Sequence, residues 1–317
     1  MSSGATVLAV DLGGTTVKAG LVNAGGDILY QNSLPTMAEE GPHVVIGQIE
    51  KALREVMENG AFPLRSAIGI GSPGVVDESG TVKSPPNLRG WDEVHLAEEL
   101  RKRFSGFSVA VENDANVAAI AESKFGAGVD IRDFLFIIWG TGVGGGIILD
   151  NKIFRGPTGG AGEVGHISID HEGPRCNCGG TGCIEAYIGQ RYLSERTAAK
   201  LREGAVSSLT RLVGGDLAKI EPVFIAEAAQ SGDAFARDVL EEAGTLLGFA
   251  IAAVMNTLDL RVSIIGGGIS AAGDFVLEAI EESVRRQVLK PLRPAIRVLR
   301  ATQGNAAGLL GAAGLVL

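Results

Sequence analysis

Residues 162–185, GEVGHISIDHEGPRCNCGGTGCIE, constrain this chain more than any other stretch. All three of its cysteines fall here, as Cys176-x-Cys178-x4-Cys183, with His166 ten residues before the first and His171 five before. Gly173, Gly179, Gly180 and Gly182 make the segment a loop, which needs a source of order other than an apolar core. A disulfide framework fails on arithmetic, because three cysteines leave one unpaired. Three small buried thiols are the plain alternative, but a glycine-rich loop gives them nothing to pack in. Thiolates and an imidazole this close together meet the tetrahedral preference of zinc. The segment therefore reads as a structural zinc loop, and its spacing does not choose between His166 and His171.

The rest of the chain sets broader limits: the whole has 317 residues, 45% hydrophobic and 21% charged, enough for one large core or two medium ones. A net charge of −9 and a pI near 5.1 repel nucleic acid, and no lysine-rich tail offsets them. No run of 18 apolar residues suggests a membrane span. The opening MSSGATVLAVDLGG lacks a basic region leading into an apolar one and a cleavage site. With free cysteines and a zinc loop, the expected location is the cytoplasm. For assembly, an isologous homodimer is the default expectation, with a higher homo-oligomer as its extension.

Two stretches repeat one pattern. Residues 5–10, ATVLAV, read as a buried strand, followed by an Asp11-x-Gly13-Gly14-Thr15 turn, a strand at 17–23, a Gly25-Gly26-Asp27 hairpin and a strand from 28. FLFIIW at 134–139 is again a strand, Gly140 to Gly146 a turn, IILD a strand, Asn151-Lys152 a turn and IFRG a strand. Between them lie a helix over 42–59, with Val45, Ile46, Ile49, Leu53, Val56 and Met57 at helical spacing, and a strand at 67–71. A helix over 91–105, a strand at 108–114 and a helix over 115–125 follow. After the zinc loop, 190–260 is mostly helical, VSII at 262–265 is a strand, 274–289 a helix, 298–299 a late strand and 306–316 a small-residue helix. The repeat predicts two α/β lobes. Their boundary falls near 115–130, giving a first lobe of 1–117 joined by the last helix (about 303–317) and a second of 118–302.

Both glycine turns join strands to strands, unlike a Walker loop, which leads into a helix. Their amides can point at an anion, Thr15 and Thr141 add hydroxyls, and Asp11 can order Mg²⁺ through water. Two ligand-free hairpins are the plain alternative, made less credible by finding two such turns, each after a buried strand. A dinucleotide fingerprint would need strand–loop–helix, so the turn beginning at Gly140 is not one. Gly266, Gly267 and Gly268 follow a strand and precede a helix, where a flat adenine can lie on bare backbone. Asp114 would alone pass for a helix cap. Glu112-Asn113-Asp114 at a strand's C-terminal end, with Asn87, Glu163 and Glu185, instead forms a mixture of carboxylates and amides suited to a polyhydroxylated ligand. Together with phosphate loops, this suggests phosphoryl transfer to a sugar.

Over essentially its whole length the chain resembles the ROK family of sugar kinases and sugar-responsive repressors, within the sugar kinase/actin-like ATPase superfamily. The motifs are DLGGTTVKAGLV, GSPGVVD, VENDANVAA, GTGVGGGI, GEVGHI and CNCGGTGCIE, in that order. The resemblance implies a two-lobed α/β fold of the actin-like ATPase (ribonuclease H-like) kind, with ATP and sugar in an active-site cleft between the lobes. It implies His166, rather than His171, as the zinc ligand beside Cys176, Cys178 and Cys183. It implies Asp114 as catalytic base, and Asn87, Asn113, Glu163, His166 and Glu185 as sugar ligands. Asp11, Gly13, Gly14, Thr15, Thr141 and Gly142 correspond to phosphate contacts. PPNLRGW, which carries Asn87, is closest to the glucokinase branch, so the expected reaction is ATP-dependent conversion of glucose to glucose 6-phosphate. Kinases for N-acetylglucosamine, N-acetylmannosamine, mannose or fructose are the alternatives. A repressor would need a helix-turn-helix before DLGGT, where only ten residues stand.

Overall fold

The computed structural model describes residues 6–60 and 64–317. Ala5, expected as the first residue of the opening strand, lies outside the described residues. The chain opens with β1 (Thr6–Leu12), β2 (Thr16–Asn23) and β3 (Ile28–Pro35), then α1 (Pro42–Asn59) and β4 (Leu64–Ser72). Three short strands, β5 (Val75–Val76), β6 (Val82–Lys83) and β7 (Glu93–Val94), form a small antiparallel sheet. Next come α2 (Leu96–Arg103), β8 (Ser108–Asn113) and α3 (Asp114–Phe125). The strand–turn–strand pattern returns as β9 (Phe134–Trp139), β10 (Val143–Leu149) and β11 (Lys152–Ile153). Then follow α4 (Glu185–Ile188), α5 (Gln190–Arg202), α6 (Leu209–Leu212), α7 (Pro222–Gln230) and α8 (Ala234–Leu258). The chain ends with β12 (Val262–Gly266), α9 (Asp274–Gln287), β13 (Arg297–Arg300) and α10 (Ala307–Gly314).

The architecture is mixed α/β. One sheet runs β3-β2-β1-β4-β8, with β4 parallel to both β1 and β8. Elsewhere β12 lies parallel to β9 on one side and to β13 on the other. By contacts the chain forms two compact units. The first holds the described residues up to Arg132, Gly146–Gly162 and Gln303–Leu317; the second holds Asp133–Gly145 and Glu163–Thr302.

Apolar spacing accounts for most elements. Val7 to Val10 are fully buried, as a strand covered on both faces requires. In α1 the stripe Val45, Ile46, Ile49, Ala52, Leu53 and Val56 faces the core, and Pro42 supplies the fixed φ of a first helical residue. Met57, expected on that stripe, is 37% exposed. Helix α8 starts at Asp233, whose carboxylate accepts from the Ala236 amide and from Ser208. These donors hold the Asp233 carboxyl down at about 2 against the opposing effect of burial.

Four expectations on boundaries change. The helix expected over 91–105 begins only at Leu96, because Trp91 is buried and Glu93 and Val94 pair with β6. The turn expected through Gly146 ends at Gly142, since Val143 to Gly146 already extend as β10. The strand expected at IFRG ends at Ile153, and Arg155 starts a loop closed by the Ala161 amide on its carbonyl. The division expected at 117/118 would cut α3, which stays whole in the first unit.

Helix α3 stays there because α10 grips it. Val117 and Ala121 share one core with Leu309, Leu310, Ala312 and Ala313 and with Val7, Ala9 and Ala67 of the sheet. A Cβ on Gly311 would lie 1.8 Å from the Val117 carbonyl oxygen, so only glycine permits this backbone approach. The buried Glu122 completes the junction by accepting the amides of Gln303 and Ala127, each at 2.8 Å. No helix among the described residues is long and apolar enough to cross a membrane. Gly311→Val is expected to destabilise the fold by at least ~1–3 kcal/mol through overpacking, read as a lowered urea midpoint. A midpoint equal to wild type would refute the close packing of α10 on α3.

Candidate functional site

Strand β8 and helix α3 meet at Glu112-Asn113-Asp114. Asn113, rather than Asp114, caps the helix: its Oδ1 accepts from the amides of Ala115 at 2.9 Å and Asn116 at 3.2 Å. Its Nδ2 donates to the Gly74 carbonyl at 3.0 Å, which leaves one Nδ2 hydrogen. Asp114 stands at the first helical position, where a carboxylate is favoured by the helix dipole. Its Oδ1 accepts from the Ala115 amide at 2.8 Å.

The turn after β1 lies in the same unit. Gly13 donates its own amide to the Thr16 carbonyl at 2.9 Å, and its carbonyl accepts from Thr36 Oγ1 at 2.6 Å. That closes Gly13 into the turn and leaves Thr15 exposed. A Cβ on Gly14 would come within 2.8 Å of Asn87 Cβ, so the expected phosphate turn and the expected sugar amide pack directly together. Asn87 reaches that place through Ser84, at φ 44, and two prolines. Asp11 sits at the end of β1 with Lys18 Nζ at 3.6 Å. Burial pushes its carboxyl up from the usual range, and the lysine opposes that shift.

In the second unit the turn of Gly140, Thr141 and Gly142 is docked on α4 and α5. The Gln190 amide donates to the carbonyls of Gly140 at 3.2 Å and Thr141 at 3.1 Å. Glu185 Oε2 accepts from the Val143 amide at 3.0 Å, and glycine at 142 leaves room for that carboxylate. Gly165 lies so close to Val143 that a Cβ would meet its carbonyl oxygen at 2.0 Å. Glu185, the GEVGH turn and the start of β10 are thereby locked into one piece.

Within that piece, His166, Cys176, Cys178 and Cys183 offer ligand atoms that all lie within 4.8 Å of one another. Cys178 Sγ and Cys183 Sγ are 3.6 Å apart, and Cys176 Sγ is 3.8 Å from His166 Nδ1. Tetrahedral edges about a zinc ion with Zn–S bonds of ~2.3 Å are ~3.8 Å, so the donor set fits that metal. The sulfurs are too far apart for a disulfide, and all three are free thiols. Burial pushes the Cys183 thiol up to about 12, so ionising it calls for a neighbouring cation. His166 Nε2 points the other way, 4.0 Å from Glu163 Oε2. His171 is 91% exposed and takes no part.

A cavity of about 430 Å³ opens between α7 and the turn after β12. Gly140, Gln190, Glu221, Val223, Gln230 and Gly268 are among its lining residues. Gly268 has open space where a Cβ would be, whereas Gly267 packs against the Trp139 backbone and Gly266 against Phe136. The contribution of α7 was missed in the sequence. Its one signal is the run PVFIA, in which Val223 is 61% exposed.

The ROK family profile matches residues 7–317. A glucokinase of Thermotoga maritima is 35% identical, covering 98% of this chain and 96% of that protein. The solved ROK family glucokinase of Streptomyces griseus, in complex with glucose and AMPPNP, is 37% identical, with a TM-score of 0.82 and 98% of each chain covered. A solved ROK family transcriptional regulator is 29% identical, with a TM-score of 0.87, covering 98% of this chain and 78% of that one.

Proposed function

The chain belongs to the ROK family, and from that membership we propose that it is an ATP-dependent hexose kinase converting glucose to glucose 6-phosphate. The observation that carries this reading is the division of labour at the END turn. Asn113 caps α3, while Asp114 stands at the first helical position, where the helix dipole favours the ionised form that a base needs. The two glucokinases, matched over nearly their full lengths, support glucose as acceptor.

A sugar hydroxyl is a poor nucleophile at neutral pH. Asp114 accepts its proton as the oxygen attacks the γ-phosphate in line and the bond to the departing ADP oxygen breaks. Asn87, the remaining Nδ2 hydrogen of Asn113, Glu163, His166 Nε2 and Glu185 Oε1 bind the sugar hydroxyls, because carboxylates accept from neighbouring hydroxyls while amides also donate. Thr15, Thr141 and the amides of their turns hold the phosphates, with Asp11 beside them. Gly13 acts by closing its turn, since its own amide already donates to Thr16. The 430 Å³ cavity takes the adenine against Gly268, with Gly266 and Gly267 setting the course of the backbone. Mg²⁺ would supply neutralisation of charge on the phosphoryl oxygens, and His166, Cys176, Cys178 and Cys183 would hold zinc as a structural ion.

Two readings favour different assays. The high TM-score to a transcriptional regulator favours a sugar-responsive regulator as second reading, and such a protein would show no turnover. A coupled assay with ATP across glucose, N-acetylglucosamine, N-acetylmannosamine, mannose and fructose tests the first. The highest kcat/KM is expected for glucose. Another preferred hexose would correct the substrate, and turnover with none would overturn the kinase.

Asp114→Asn keeps the shape and removes proton acceptance. It is expected to lower kcat by at least ~10²-fold with glucose still bound. Retention of more than about a tenth of kcat would remove Asp114 from the role. Cys178→Ala, or a strong chelator, is expected to raise the sugar KM and lower stability while leaving nucleotide affinity comparatively unchanged. Elemental analysis and separate titrations of glucose and nucleotide check this. Stoichiometric zinc whose removal leaves glucose affinity intact would refute its ordering of the sugar ligands.

A further inference from the structure

Glu112 is an ionisable side chain with 1% exposure, and none of the roles above uses it. Its carboxylate is nevertheless fully engaged. Oε1 accepts from the Asn113 amide at 2.9 Å and from Asn116 Nδ2 at 3.0 Å. Oε2 accepts from Arg155 Nε at 2.5 Å. One carboxylate thus ties together the β8–α3 turn, the first turns of α3 and the loop after β11. Among the described residues Arg155 is its one ion-pair partner.

We propose that Arg155, acting through Glu112, is a positioning residue that fixes the turn carrying Asn113 and Asp114 for proton acceptance, an inference that rests on the kinase reading. Proton transfer and in-line attack tolerate little displacement: an error of about 1 Å can cost ~10²-fold. Asp114 follows Glu112 by two residues, so its carboxylate goes where the backbone of that turn goes. Asn113 stands at the boundary of α3, where helix ends fray, so a second point of fixation adds to its cap bonds. Glu112 fixes it from the other side by accepting the Asn113 amide. A buried carboxylate keeps that role only while its charge is paired, and breaking such a pair is far more damaging than replacing both partners.

Arg155 is itself held. Its carbonyl accepts the Ala161 amide at 3.1 Å, closing the loop. At Gly159 the same loop packs on the Val76 backbone. The Arg155 side chain is 39% exposed, and the residue lines a surface cavity of about 350 Å³ that Asp77, Glu78 and Arg101 also line. The pair is therefore held at the carboxylate by the β8–α3 turn and at the Arg155 backbone by the closed loop.

The test compares Arg155→Met, Arg155→Lys and the double variant Glu112→Gln/Arg155→Met in glucose phosphorylation, corrected for folded fraction. Arg155→Met is expected to lose ~10–100-fold in kcat, with the nucleotide KM within about twofold of wild type. Arg155→Lys, which keeps the charge, is expected to recover most of kcat. The double variant, whose neutral side-chain amide still accepts the Asn113 amide through its carbonyl oxygen, is expected to exceed Arg155→Met by about tenfold. An unchanged kcat with only a lowered melting temperature would show a merely structural pair and overturn the inference. Equal losses in Arg155→Met and the double variant would overturn it too. Should Arg155→Met fail to fold, Arg155→Gln takes its place: a loss of at least ~10-fold in kcat that Arg155→Lys recovers would sustain the inference, and an unchanged kcat would overturn it. Wild-type protein that phosphorylates no hexose would overturn the kinase reading and this inference together, whereas an active wild type with an unimpaired Arg155→Met would overturn this inference alone.

Discussion

The contact on which the first unit depends is a backbone-to-backbone approach: Gly311 of α10 against the carbonyl of Val117 in α3. Side chains elsewhere keep helices about 8–10 Å apart. Here glycine and alanine let them come closer, and dispersion rises steeply with that proximity. The same helix meets β4, where Gly69 faces the Ala312 carbonyl. Asp11 is drawn into this arrangement, because Gly308 stands beside its carboxylate. A helix of small residues thus bears on both the sheet and the carboxylate expected at the phosphates.

Polar groups in each unit serve two purposes at once. Glu185 braces the Val143 amide with one oxygen. Asn113 caps α3 with its carbonyl and ties Gly74 with its amide. His166 turns Nδ1 towards Cys176 and Nε2 towards Glu163. Such groups are held by hydrogen bonds before any ligand arrives, which lowers the ordering cost of binding.

Much of this was legible in the sequence where a local rule applied. Period 3.6 marked α1, with Met57 alone off the buried stripe. The cysteine spacing marked the Cys/His cluster, although it did not separate His166 from His171, because ring orientation depends on the course of the GEVGH turn past Val143. The cap of α3 was not assigned in the sequence, since Asn113 and Asp114 are both good caps and the side chain that serves, Asn113, is also tied to Gly74, 39 residues away. Likewise the extent of the Gly140 turn was overestimated, because glycine signals a turn but is also accepted in a strand where a helix crosses closely. Gly146 is such a position, with Ala119 of α3 against it. The α7 wall of the cavity was invisible, as pocket walls carry no periodic signature.

The order of the units along the chain has a consequence for biosynthesis. Gln303–Leu317 belong to the first unit, while the roughly 170 residues between Arg132 and Gln303 hold the bulk of the second. A ribosome making ~5–20 residues per second needs roughly 10–35 s to cross that interval. Throughout it, the faces of β1, β4 and α3 that α10 covers have no partner from their own unit. The second unit, nearly contiguous, can reach its native contacts first. Nascent chains therefore present an apolar surface around Val7, Ala9, Ala67 and Val117 until α10 emerges, which makes that surface the natural place for a chaperone to act.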